Sequence, residues 1–367
     1  MEKSVHKSYL PSLDGFRTIA VTLVFLFHFC RLDFISMKFE IGWIGVQMFF
    51  VLSGFLITRI LIDQKTNPLA PFLKRFYLRR VLRIFPLYFG YLLLLSIVYI
   101  TFRQPDDFSR YSFSLFTYTY NFSILFRDWG IDRMFAHLWS LSVEEQFYIL
   151  WPFVVYFLTE RQLKIVVIGL LLGCPVLRWV SGIILSGYWS DPELIGNAVY
   201  WMTFNHLDAF ALGGGLNLFA KNISKSDSTK LITVSGGICL VAGLFNAYLL
   251  HNLVSSDLGY PIHSIANLQH VWSYSILNLF FAAVILRLVY FPVKILSGGI
   301  MVWLGKISYG IYLFHFPVLV AFDKLVGRSL GNELMSLLLT YAVTVILAWV
   351  SYVLYESPFL RLKVRIG

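Results

Sequence analysis

The stretch LDGFRTIAVTLVFLFHFC, residues 13–30, decides the class of the fold. It is predominantly apolar, with Asp14 at its start and two ionisable side chains, Arg17 and His28, set further into it. About 18 apolar residues, rising 1.5 Å each, cross most of a bilayer's hydrocarbon. The run follows a short polar arm, and no small-residue cleavage pattern comes after it. It therefore reads as a first membrane helix and not as a cleaved signal.

The same signature recurs along the chain. Spans are expected at 13–30, 42–62, 84–102, 141–158, 163–180, 200–219, 231–251, 271–290, 300–322 and 333–355. The segment 103–140 is charged and is placed outside the bilayer, as a surface helix. Composition agrees: 58% of the 367 residues are apolar and 14% charged, with a mean hydropathy of +0.71. A soluble chain carries about a quarter charged residues, and lipid is the solvent that tolerates the deficit. The expected fold class is all-α, a polytopic transmembrane helix bundle of about ten spans forming a single domain over 1–367. Lys and Arg fall preferentially on the side of the N-terminus, most densely at 74–83, which puts both termini in the cytoplasm. The net charge of +10 is thereby a matter of topology and lipid headgroups, with no nucleic acid implied.

Ionisable residues inside a membrane are costly and usually face a cavity or a partner. Arg17 and His28 are eleven residues apart, just over three turns, so they share one helix face about 16 Å apart. A neutral imidazole at mid-depth can accept a proton from a hydroxyl. A snorkelling arginine with a structural histidine fits the spacing equally well. In KRFYLRRVLRIFP, Arg80 and Arg83 form a paired cationic face suited to phosphate, or to anionic lipid. In HLWSLSVEEQFYILWPF, Glu144 and Glu145 open a span from the outer side, about 100° apart around the axis. One could balance His28 while the other meets water. Trp139, Tyr148 and Trp151 nearby suit an aromatic belt. Asp208 lies in the apolar NHLDAFALGGG, whose triple glycine permits close helix contact, and its spacing fits a structural hydrogen bond as well as a substrate contact. Ser308, Tyr312 and His315 make a polar stripe in GKISYGIYLFHFP. Cys30, Cys174 and Cys239 are scattered in apolar surroundings, and no metal-ligand spacing occurs anywhere.

Five of these segments together resemble the acyltransferase family 3 membrane proteins: LDGFRTIAV…H at 13–28, GWIGVQMFFVLSGFLIT at 42–58, FLKRFYLRRVLRIFPLY at 72–88, WSLSVEEQFYILWP at 139–152 and LGKISYGIYLFHFP at 304–317. They occur in the family's order and run nearly end to end. The resemblance implies a multi-pass enzyme of the bacterial inner membrane that O-acylates a carbohydrate. Its donor would be acetyl-CoA or another acyl-CoA, used as a substrate with no resident cofactor. Its acceptor would be a carbohydrate or lipid-linked glycan, such as an exopolysaccharide or lipopolysaccharide unit.

The resemblance also assigns roles. His28 becomes the catalytic base and Glu145 the second catalytic candidate. Arg80 and Arg83 handle the donor, with Arg17, Tyr148, Asp208 and His315 as further substrate-binding positions. Arg17 lies too far from His28 to bind the oxyanion, and no other donor for it is legible. Some relatives append a soluble hydrolase-like domain, which is not expected here because the chain stops at Gly367. Acceptor choice is expected in 103–138, 181–200 and 251–270, where Trp129, Tyr188 and Trp189 suit sugar faces. The rival reading is a glycan or lipid transporter or flippase, against which stands the lack of similarity between the two halves.

Overall fold

The computed structural model describes residues 9–32, 35–102, 105–125, 133–220, 223–253, 255–326 and 331–365. Trp129 lies outside them. The described residues are helical, with no strand among them. The helices are α1 (Pro11–Phe29), α2 (Ile44–Gln64), α3 (Leu69–Phe102), α4 (Pro105–Phe116), α5 (Tyr120–Ser123), α6 (Leu138–Phe157), α7 (Glu160–Ser186) and α8 (Pro192–Trp201). They continue with α9 (Leu207–Phe219), α10 (Lys225–Leu249), α11 (Gln269–Tyr290), α12 (Gly299–Lys306), α13 (Ser308–Leu325), α14 (Glu333–Ser351) and α15 (Ser357–Arg365).

Ten spans were expected; among the described residues seven helices are long and apolar enough to cross a membrane, or eight if α12 and α13 count as one. The differences have physical causes. α6 is long enough, but Glu144, Glu145, Gln146 and two serines dilute its hydropathy. α9 has 13 residues, too few to cross, and is entered through α8 and a 3-10 turn over Thr203–His206. α9 is buried over most of its length, and α6 over its polar first half, while Ile149, Leu150 and Phe157 of α6 face outward. The expected span 300–322 is broken at Ile307, where α12 and α13 meet at 69°. The start expected at residue 84 is the middle of α3, whose 34 residues form a single helix about 51 Å long at 1.5 Å per residue.

Burial separates centre from rim. Two-thirds of the apolar window of α1 and of α2 is buried, against about a fifth for α7 and α14. The rim helices turn Leu172, Leu240, Leu347 and similar side chains outward, as lipid-facing helices do. The centre is drawn tight by small residues. Gly54 of α2 lies against the backbone of Phe210, and Gly213 of α9 lies against the carbonyl of Val51. A Cβ at either point would collide with main chain, so α2 and α9 touch backbone to backbone.

α9 is also where the expected Asp208 resides, and its surroundings are structural. Asp208 is fully buried, and its carboxylate accepts from Arg178 Nη2 at 3.0 Å and Ser275 Oγ at 2.6 Å. Arg178 is itself fully buried and also donates to the carbonyls of Asn205 and Val271. An ion pair with its remaining valences satisfied can persist in a low-dielectric interior. It pins α7, α9 and α11 together.

Candidate active site

Arg17 and His28 of α1 open into two different cavities. At its C-terminal end a cavity of about 600 Å³ is lined by His28, Arg31, His137, Trp139, Tyr200 and His263 among others. Near its N-terminal end a cavity of about 140 Å³ is lined by Arg17, Ser53, Arg80, Arg83, Glu144 and Glu145 among others. Val46 and Tyr312 line both cavities, so these two side chains form the septum between them.

The histidine cavity is built around one turn of α13. His315 Nδ1 lies 2.5 Å from the carbonyl of Tyr312, and its Nε2 lies 3.2 Å from His28 Nδ1. His28 Nδ1 is also 2.9 Å from the Val24 carbonyl, one turn back on α1. A carbonyl can only accept, so each neutral ring carries its proton on Nδ1. His315 then presents a lone pair on Nε2 to the His28 Nδ1–H. His28 Nε2 is left as the unprotonated nitrogen, the state a general base requires. The Phe316 ring packs against both His28 and His137, at 4.3 and 5.1 Å between centroids.

His137 immediately precedes α6 and lies outside the span expected there, which is why hydropathy passes over it. It is buried, and both of its ring nitrogens lack a hydrogen-bond partner among the described residues. Its carbonyl, by contrast, is doubly held: Tyr312 OH donates to it at 2.9 Å and Ser140 Oγ at 3.2 Å. Ser140 and Tyr312 hydroxyls are themselves 2.5 Å apart across the septum.

The outer wall comes from two loops. Asp191, Glu193 and Asn197 enter from the start of α8, and Ile262 and His263 from the connection between α10 and α11. That connection is conformationally costly: His251, Leu258, His263, Asn267 and Leu268 all have φ between 51° and 64°. Left-handed non-glycine residues persist only where surrounding bonds hold them, and they gather at functional sites. Here Asn246 Nδ2 donates to the Gly259 carbonyl at 2.7 Å, and Trp43 Nε1 to that of Tyr260 at 3.0 Å. The segments 181–200 and 251–270 thus both reach the cavity, although Tyr188 and Trp189 are absent from its wall. Trp139 and Trp201 supply the indoles instead.

The arginine cavity differs in character. Arg17 is ion-paired with Asp14, which also accepts from Tyr9 OH at 2.5 Å. Arg80 lies over the Tyr148 ring at 5.6 Å, and Arg83 Nη2 is 3.5 Å from the Lys306 carbonyl at the bend between α12 and α13. Glu144 accepts from Ser53 Oγ at 3.0 Å, and the Tyr148 hydroxyl is 3.0 Å from both Ser53 Oγ and Glu144 Oε2.

Two expectations are thereby corrected. Neither Glu144 nor Glu145 balances His28: both face the arginine cavity, and the ring beside His28 Nδ1 is His315. Asp208 lines neither cavity. Arg17, Arg80, Arg83 and Tyr148 are brought together with Glu145, while His28 and His315 meet on the far side of the septum.

A family model described as an acyltransferase domain matches residues 10–356. The chain is 29% identical over 368 residues to the peptidoglycan O-acetyltransferase OatA of Listeria monocytogenes, covering 96% of this chain and 56% of that protein. It is 28% identical over 377 residues to the O-acetyltransferase OatA of Staphylococcus aureus, covering 98% of this chain and 58% of that one. The chain thus spans little more than half the length of these relatives. No solved structure matches it.

Proposed function

This chain belongs to the acyltransferase-domain family, and on that premise we propose that it is a membrane O-acetyltransferase, moving an acetyl group from acetyl-CoA to a hydroxyl of a cell-envelope glycan. The observation that carries the reading is the pair of cavities meeting at Val46 and Tyr312, one lined by arginines and the other by His28. The names of the relatives favour peptidoglycan as the glycan.

The arginine cavity takes the donor. Its 140 Å³ is below the roughly 300–1,000 Å³ of whole small-molecule sites, so it holds only part of a CoA and the rest of the donor lies outside it. Arg80 and Arg83 then meet donor phosphates, for which the guanidinium fork is suited. The Lys and Arg bias of the sequence puts this end of the bundle in the cytoplasm, where acyl-CoA is found. The histidine cavity, within the volume range of a sugar site and walled by indoles, takes the acceptor from the other side.

In the reaction the acceptor hydroxyl attacks the thioester carbonyl while His28 Nε2 takes its proton. His315 Nε2 accepts from His28 Nδ1–H, keeping the ring aligned and supporting the charge it acquires. Collapse of the tetrahedral intermediate breaks the carbon–sulfur bond, and His28 returns its proton to the departing thiolate. The donor carbonyl reaches His28 past Tyr312, so the septum is part of the path.

Purified chain in lipid nanodiscs, given radiolabelled acetyl-CoA and soluble peptidoglycan strands, should release CoA thiol and place alkali-labile label in the glycan. His28→Ala should abolish both. A folded wild-type chain that produces neither signal, or a His28→Ala variant at the wild-type rate, would overturn the reading.

A further inference from the structure

The transfer proposed above needs a group to stabilise the negative charge that develops on the carbonyl oxygen. The hydroxyls and imidazoles around His28 can be taken in turn. Tyr312 has one proton, and it points at the His137 carbonyl. Ser140 Oγ is committed to that same carbonyl and to Tyr312. His315 Nδ1–H is engaged by the Tyr312 carbonyl, and its Nε2 is a lone pair facing His28. His28 Nδ1–H is shared between Val24 and His315. Arg31 stands at the mouth of the cavity over the Phe27 ring, one turn beyond His28.

His137 remains. It is 2% exposed, lines the same cavity as His28, and neither of its ring nitrogens has a partner among the described residues. The Leu313 carbonyl lies nearby without meeting the full geometry of a hydrogen bond. A buried imidazole left unsatisfied on both nitrogens carries a desolvation cost, which is removed when a ligand atom supplies the bond. The residue is also fixed in place: two hydroxyls hold its carbonyl, and Phe316 stacks on its ring at 5.1 Å with 23° between planes. His28 packs on the same Phe316 from α1. The two imidazoles therefore flank one turn of α13 and border one space, with a free base nitrogen on one side and an unused N–H on the other.

We infer that His137 is a further catalytic residue, whose neutral imidazole donates an N–H hydrogen bond to the acyl oxygen as it becomes an oxyanion. This rests on the acetyl-transfer reading. As the acceptor oxygen bonds to the thioester carbon, the carbonyl π pair moves onto oxygen and the hydroxyl proton passes to His28 Nε2. The oxyanion is held by His137 until the pair re-forms the carbonyl and the sulfur leaves with its bonding electrons. His137 keeps its proton throughout. A donor fixed before the charge appears is the form of stabilisation that lowers such barriers most, because nothing has to reorganise.

The test uses the full chain in nanodiscs, with acetyl-CoA as donor, soluble peptidoglycan strands as acceptor and CoA release as readout. Wild type and His28→Ala are run first; a silent wild type would fail the acetyl-transfer reading itself and is distinguished in that way. Given a working wild type, His137→Ala should lower kcat by about 100- to 1,000-fold, the range for losing one oxyanion donor, with both KM values within twofold. His137→Gln and His137→Asn keep an N–H near one ring nitrogen, and the better of them should recover at least tenfold over alanine. His137→Leu fills the space without a donor and should match alanine, which covers the case in which alanine fails to fold. The inference is overturned if folded His137→Leu or His137→Ala turns over at the wild-type kcat. It is equally overturned if both amide variants are as inactive as alanine, since the ring would then be serving as a base or an acyl carrier.

Discussion

His315 Nε2 lies 3.2 Å from His28 Nδ1, and that nitrogen also lies 2.9 Å from the Val24 carbonyl. The sequence alone suggested a carboxylate for this orienting role, as in hydrolytic triads. In the proposed mechanism a second imidazole performs it, without burying a negative charge beside the base. His315→Ala should therefore lower kcat by about 100-fold while leaving both KM values near wild type. His315→Gln, whose amide oxygen can still accept from His28, should lose less. Equal losses in the two variants, or none in either, would count against the pairing.

The arginines of the other cavity should act on donor affinity and not on chemistry. Arg80 is spread over the Tyr148 ring at 5.6 Å and Arg83 reaches the bend at Lys306. Arg80→Ala and Arg83→Ala should each raise the acetyl-CoA KM by about tenfold, with kcat changed less than threefold. Arg80→Lys should resemble alanine more than wild type, because an ammonium neither forks nor stacks as a guanidinium does. The check is a donor titration at two ionic strengths, where the wild-type advantage should shrink with salt.

Asp208 should prove a stability residue. Its carboxylate is bonded to Arg178 and Ser275 in a site with no exposure, and it lines neither cavity. Asp208→Asn leaves a buried guanidinium uncompensated, which costs roughly 3 kcal/mol, and the thermal unfolding midpoint should drop accordingly. Activity per folded molecule should stay within twofold. Replacing both partners, as Asp208→Asn with Arg178→Met, should destabilise less than the single change. A single variant with normal stability and lost turnover would return Asp208 to the active site.

These assignments show what lipid makes legible and what it hides. Helices such as α1, α2 and α11 stand out in the sequence because each carries its own apolar length. α6 and α9 depart from that rule: α6 carries Glu144, Glu145 and Gln146 in its buried first half, and the apolar residues 200–219 hide that α9 is only 13 residues long. The shared face of Arg17 and His28 follows from helix periodicity alone. That they open into separate cavities does not, because the septum is supplied by Val46 of α2 and Tyr312 of α13. His137 was invisible for the same reason: its burial comes from α13, more than a hundred residues later. Glu145 was misplaced because position in a span says little about which neighbour a side chain meets.

The wall of the histidine cavity should carry a measurable acid sensitivity. His263 sits outside the spans with φ at 64°, its ring 5.1 Å from that of Tyr200. Burial first, and the Arg31 charge second, push its imidazole down to about 3. The free side chain titrates near 6.5, so between those values the unfolded chain binds more protons than the folded one. The stability this ring contributes is therefore complete above about pH 6.5 and is lost as the pH falls toward 3, by at most about 1.4 kcal/mol per pH unit. Thermal unfolding of the nanodisc-embedded protein should show a midpoint that declines below about pH 6 in wild type and declines less steeply in His263→Gln. Other buried histidines contribute to the acid slope, so the difference between the two proteins is the quantity to read. Superimposable profiles would mean that water reaches this ring in the folded protein and that the loop does not hold it dry.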